Sequence, residues 1–263
     1  ALRTVENFLV PARLTLFTHS DAVSLQQFGA LKGMALPLLF FPSAFLMTVS
    51  NLMVPELSDA KALHHRRQIA LLVERTLHVT ALGAILIGGV FTTFGRSLGQ
   101  LLYQDDNVGL FLQILGPLTP VMYLDSVAAG MLKGLGEQVS TLWHSVADSL
   151  VRILLILLIL PRYGIIGFLF VMLVSNLLTA SLSVSRILTV SGARMRWGRW
   201  ILRPSLLAVI AALTHIALHG VLPLTGLPHI LVGCACIIVV YVGGLPILRC
   251  FTIDDLATLR RHA

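Results

Sequence analysis

The chain has 263 residues, 56% of them hydrophobic and 12% charged, with a formal net charge of +7. Globular chains carry about 25% charged residues to cover their outside, so this composition excludes a water-soluble fold. In such a chain the positive balance is a signal of membrane orientation before it is one of nucleic-acid binding, and no nucleic acid is expected as a partner.

The opening "ALRTVENFLVPARL" has no initiator methionine and shows no cleavable signal sequence. Residues 1–33 are therefore expected to be the tail of a truncated helix and an outer loop, and the chain a fragment. A window of roughly 20 residues, the length that crosses about 30 Å of hydrocarbon, then finds seven spans: 34–54, 77–94, 110–132, 142–160, 164–185, 204–222 and 227–248. Together they hold only three of the 31 charged side chains, Asp125, Asp148 and Arg152. In lipid each span must satisfy its own amides, and runs this long without period-2 alternation do so as helices. The expected fold is all-α, a polytopic membrane helix bundle.

The first span holds Pro37 and Pro42, which predict a bend, and Thr48, Ser50 and Asn51 cluster toward its end. The third carries Pro117 and Pro120, which loosen the backbone ladder where a cavity or partner can re-satisfy it, together with Asp125. Lys133, at the edge of that span, can snorkel or simply anchor topology. The fourth span is forced on its charges: the apolar run 153–160 supplies only about 12 Å of helix, so the span reaches back to about Leu142 and carries Asp148 and Arg152 in its middle. Facing lipid, each would cost about 2.5 to 3.5 kcal/mol on insertion scales. Four-residue spacing lets the two pair on one face and turns that face to protein or to a wet cavity. The pair is then either a salt bridge fastening this helix to a neighbour or the lining of a polar pathway.

Ser175, Asn176, Thr179 and Ser183 form a polar stripe at helical spacing in the fifth span, as interhelical hydrogen-bonding glue or as ligands. His215 and His219, four residues apart, relay protons or bond backbone carbonyls. Cys234 and Cys236 stand about 200° apart around a helix and cannot share a metal with ideal geometry. His64 and His65 are isolated, and neither a metal nor a cofactor is expected.

The loops 55–76, 133–141, 186–203 and 249–263 hold thirteen Lys or Arg, against five on the other side, Arg3, Arg13, Lys32, Arg96 and Arg162. The positive-inside rule makes the first set cytoplasmic, with the C-terminus inside and residues 1–33 outside. In the basic loop 189–203, Arg194, Arg196, Arg199 and Arg203 alternate with Trp197 and Trp200, a pattern expected of indoles at headgroup depth and guanidiniums on anionic lipid. The tail 249–263 reads as a short surface helix, with Asp254 and Asp255 at its start and Arg260 and Arg261 at its end, as the helix dipole favours.

Five stretches, "ALRTVENFLVPARL", "GMALPLLFFPSAFLMTVSNLMVPELSDA", "LLYQ", "PLTPVMYLDSVAAGMLKGLGEQ" and "LPRYGIIGFLFVMLVSNLL", resemble the stage V sporulation protein B group of polysaccharide flippases. That group belongs to the superfamily of the lipid II flippases and the multidrug and toxin extrusion antiporters. The resemblance covers residues 1 to about 190 and extends to the last two spans only in pattern. It implies one lobe of a two-lobe MOP-type flippase: five transmembrane helices over 34–188, then two extra C-terminal helices over 204–248. It also implies a missing N-terminal lobe as partner, and an undecaprenyl-linked oligosaccharide or peptidoglycan precursor as substrate, moved across the bacterial plasma membrane by alternating access. In relatives that flip lipid II, an acid followed by arginine stands in the helix matched by "TVENF"; here Glu6 takes the place of the acid and Asn7 that of the arginine. The residues expected along the pathway are Arg3, Glu6, Asn7, Arg13, Asn51, Asp125, Asp148, Arg152 and Asn176.

The competing transporter is a drug or cation antiporter of the same superfamily, for which Asp125 and Asp148 suit a proton or cation, whereas an anionic pyrophosphate lipid prefers Arg152, Arg3 and Arg13. A retinal pump needs a lysine in the last span, and 227–248 has none. Ser126 and Ser145 lack the glycine-rich elbow and histidine partner of a catalytic serine, so no enzyme is expected.

Overall fold

The computed structural model describes residues 2–221 and 226–248, without the side chains at 2, 3, 49 and 218–221. The side chains of Arg3 and His219, together with Cys250 and the tail bearing Asp254, Asp255, Arg260 and Arg261, lie outside the described residues. Those described form an all-α polytopic membrane bundle. Its α-helices are α1 (Leu2–Thr18), α2 (Asp21–Gly29), α3 (Leu36–Phe40), α4 (Ser43–Ala62), α5 (Arg66–Tyr103), α6 (Asp106–Leu115), α7 (Thr119–Gly134), α8 (Gln138–Ser191), α9 (Arg203–Val221) and α10 (Leu227–Ile247). Five stretches are long and apolar enough to cross a membrane, and Asp21–Phe40 with Ser43–Ala62, bent by 55°, makes a sixth.

Prolines set the irregularities. The ladder widens to π-type turns over Ala30–Ala35 ahead of Pro37, and the bend falls at Phe41 and Pro42, between α3 and α4. Between α6 and α7 the chain tightens into a 3-10 turn, Gly116–Leu118, that contains Pro117, because a proline nitrogen has no hydrogen to donate to the preceding turn.

The longest helix is not one rod. As a straight helix the 54 residues of α8 would run about 81 Å, far beyond the hydrocarbon thickness. Gly164 interrupts it with φ 57° and ψ −140°, a conformation that suits a residue without a Cβ. The arms fold back on each other: Arg152 and Asp148 both bond Ser175, 23 and 27 residues away in sequence. The spans expected over 142–160 and 164–185 thus fall on the two arms of one hairpin.

Close approach of backbones holds α5 to α6. A Cβ on Gly95 would lie 2.6 Å from the Gln113 nitrogen, and one on Gly99 would come closer still to the Gly109 nitrogen. Small residues let helices meet where lipid supplies no hydrophobic drive between them. The "VPELSDA" and "LKGLG" stretches also meet in space. A Cβ on Gly134 would sit 3.1 Å from Val54 Cα, and Lys61 donates from Nζ to the Leu135 carbonyl at 2.5 Å, closing the end of α7.

The buried apolar side chains stack in two layers. One contains Val10, Leu39, Leu112, Tyr123, Ile156, Leu160 and Val171; the other contains Leu57, Val73, Leu77, Met131, Ile187 and Trp200. Helices α9 and α10 pack on the outside of α5 through their own smaller clusters, with Tyr241 donating to the Leu82 carbonyl at 2.9 Å. The basic loop departs from expectation at one position. Trp197 is exposed, but Trp200 is buried and stacks on His78 with ring centroids 5.4 Å apart, because its indole completes an apolar layer that would otherwise end at α5.

Candidate functional site: a charged seam

On the first arm of α8, Asp148, Ile156 and Leu160 turn inward while Leu150, Leu154 and Leu158 are exposed. The alternation follows the four-residue repeat of a helix face. Asp148 and Arg152 therefore share the inner face, where Arg152 Nη2 donates to Asp148 Oδ2 at 2.9 Å. The second arm brings Ser175, fully buried, against both: its Oγ accepts from Arg152 Nε at 2.9 Å and Nη2 at 2.5 Å, and donates to Asp148 Oδ1. From α1, Glu6 accepts from Arg152 Nη1 at 3.4 Å. Both carboxylates are buried, 8% exposed in each residue, whereas the Arg152 side chain keeps 25% of its surface open.

Asp125 of α7 extends the seam. Its carboxylate bonds the hydroxyls of Ser183 and Thr179 on the second arm of α8, with Asp148 and His144 near enough to act on it electrostatically. The seam thus draws on α1, α7 and both arms of α8, where the two apolar layers meet. It counts three carboxylates against one guanidinium, in surroundings where an isolated charge is costly and a pair is held by complete hydrogen bonding.

The other expected residues lie elsewhere. Asn7 points away from Glu6, is exposed, and accepts from Lys32 Nζ. Arg13 is half-buried two turns along α1 and bonds none of the seam groups. Asn51 is exposed on α4, while its neighbour Ser50 is fully buried and donates to the Val127 carbonyl at 3.3 Å, tying α4 to α7. Asn176 spends its amide on the Met172 carbonyl of its own helix at 2.7 Å. Ser175, read in the sequence only as part of a polar stripe, is the central ligand of Arg152. A signal for it existed: a tight turn near Gly164 reflects positions 148 and 152 onto the stripe that begins at 175. Among the described residues no group of three or more His, Cys, Asp or Glu side chains is placed to hold a metal ion.

Over 191 residues the chain is 21% identical to Stage V sporulation protein B of Bacillus subtilis (strain 168), a match that takes in 71% of this chain. It spans 37% of that protein's length. No family model matches the chain, and no solved structure does.

Proposed function

We propose that this chain is one lobe of a membrane transporter that flips an undecaprenyl-pyrophosphate-linked saccharide or peptidoglycan precursor across the bacterial plasma membrane by alternating access, its C-terminus in the cytoplasm. One observation carries the reading: a buried polar seam, with a partly open guanidinium at its centre, runs through a bundle whose outer faces are aliphatic. The similarity to a sporulation protein supports it. Enclosing a headgroup requires an opposing surface, which a first lobe, absent from this chain, would supply.

The geometry suggests how an anionic headgroup engages the seam. Arg152 is already held by carboxylates, so a phosphate oxygen reaches it by displacing one of them. The Glu6 contact, at 3.4 Å against 2.9 Å for Asp148, is the longer and weaker. Displacement of Glu6 would free α1 from α8, coupling headgroup arrival to movement between helices.

A second reading, a cation antiporter, draws on the same seam, since its carboxylates outnumber its guanidinium and an organic cation or proton would balance them. Glu6→Gln in the full-length protein separates the two. Under the flippase reading the variant frees Arg152 and strengthens capture of a polyprenyl pyrophosphate sugar. Under the antiporter reading it binds no such lipid and loses dye efflux. Failure of the wild-type full-length protein to capture the pyrophosphate lipid would overturn the first reading.

A further inference from the structure

Away from the charged seam, where α5 and α9 approach their ends and α6 and α10 begin, lies a pocket of about 560 Å³. Thr92, Thr93, Gln113, His215 and His229 line it, with the exposed Ile216 completing the wall. The surrounding helices already pack through Phe94, Ala211, Ile230 and Ile237, which need no polar neighbours. Hydroxyl, amide and imidazole groups are costly to bring into such packing, and five of them gathered from four helices around a cavity point to a ligand.

The pocket is built for its imidazoles. His215 packs on Phe94 with centroids 4.7 Å apart and stands 5.1 Å from His229. Gly233 of α10 makes the room, since a Cβ there would run into Phe94 Cζ and fall 2.6 Å from His215 Cε1. Thr92 and Thr93 donate to the Gly88 and Gly89 carbonyls at 2.7 and 2.9 Å. The imidazoles and the Gln113 amide supply N–H donors, and among the described residues no carboxylate lines the pocket. Donors without a competing acid suit a ligand that only accepts, which is the chemistry of a phosphate diester.

Depth identifies the source of that phosphate. His229 is in the first turn of α10, and His215 lies about 9 Å of helix from the end of α9. This is the level at which headgroups border a hydrocarbon core of about 30 Å. Just outside the pocket, Leu213 and Leu231 expose aliphatic surface on α9 and α10. We propose that the pocket binds the phosphate diester of a membrane glycerophospholipid, whose acyl chains lie along these two helices. The site is independent of the seam and of what the seam transports.

Thermal unfolding of the full-length protein in detergent tests this, with phosphatidylglycerol, a phosphate-free glucosyl diacylglycerol and inorganic phosphate as probes. Phosphatidylglycerol is expected to raise the unfolding midpoint, and the other two to leave it unchanged. His215 is packed against Phe94, so the informative variants are His229→Asn and Gln113→Leu, both at half-buried positions. Each is expected to keep the lipid-free midpoint and to weaken phosphatidylglycerol about tenfold or more, the loss of a hydrogen bond to a charged group. Equal stabilisation of wild type and both variants would overturn the proposal. So would equal stabilisation by the glucosyl lipid, which marks a site for chains alone, or by inorganic phosphate, which marks a site for a small anion.

Discussion

Arg152 holds the seam together because every part of its guanidinium is in use. Nη1 serves Glu6, Nη2 serves Asp148 and Ser175, and Nε serves Ser175. Removing it would leave Glu6 and Asp148 buried, like-charged and without their cation, and breaking a buried pair from one side costs about 3 to 5 kcal/mol. Arg152→Ala is accordingly expected to lower the unfolding midpoint in detergent and to abolish complementation, while Arg152→Lys, which keeps the charge but not the fork, retains part of both. Ser175→Ala removes the hydroxyl that both accepts from Arg152 and donates to Asp148, at an expected cost of about 1 to 3 kcal/mol. Asn176→Ala touches only the helix's own backbone and should leave stability and transport near wild type. This contrast between adjacent residues is the sharpest check on the seam as drawn.

The α8 hairpin is the element that makes those contacts possible. Gly164 combines a positive φ with a neighbour, Phe17, whose Cδ1 would lie 2.5 Å from an added Cβ. Gly164→Ala should therefore destabilise by about 1 to 3 kcal/mol, and it should also weaken the Arg152–Ser175 contact, because that pairing depends on the register of the two arms. A double-mutant cycle of Gly164→Ala with Ser175→Ala is expected to give less than the sum of the single effects. On α5, Gly99→Val would drive a side chain into the α6 backbone at Gly109 and should lower the midpoint without altering substrate capture. The reason is distance: α6 contributes nothing to the seam.

For the whole molecule, the arrangement predicts an asymmetry of access. In a full-length protein with Cys234, Cys236 and Cys250 replaced by alanine, a cysteine at position 152 should react with a water-soluble thiol reagent. One at the exposed, lipid-side position 154 should not. Reaction at 154 alone, or at neither, would remove the wet interior on which a transport pathway depends. Helices α9 and α10 lie outside this asymmetry, since they dock on α5 and reach none of the seam residues.

Much of this was written in the chain itself. The scarcity of charge and the length of the apolar runs determine a helical membrane bundle, because lipid leaves the backbone no other way to satisfy its amides. The pairing of Asp148 with Arg152 follows from spacing alone, since i and i+4 share a face on any helix. Partners from other helices were beyond reach of that logic. Glu6 was a candidate, but its contact with a guanidinium 146 residues away, the choice of Ser175 over Asn176, and the burial of Trp200 all depend on how helices fold back and cross. Periodicity says which side chains share a face; only tertiary packing decides what that face meets.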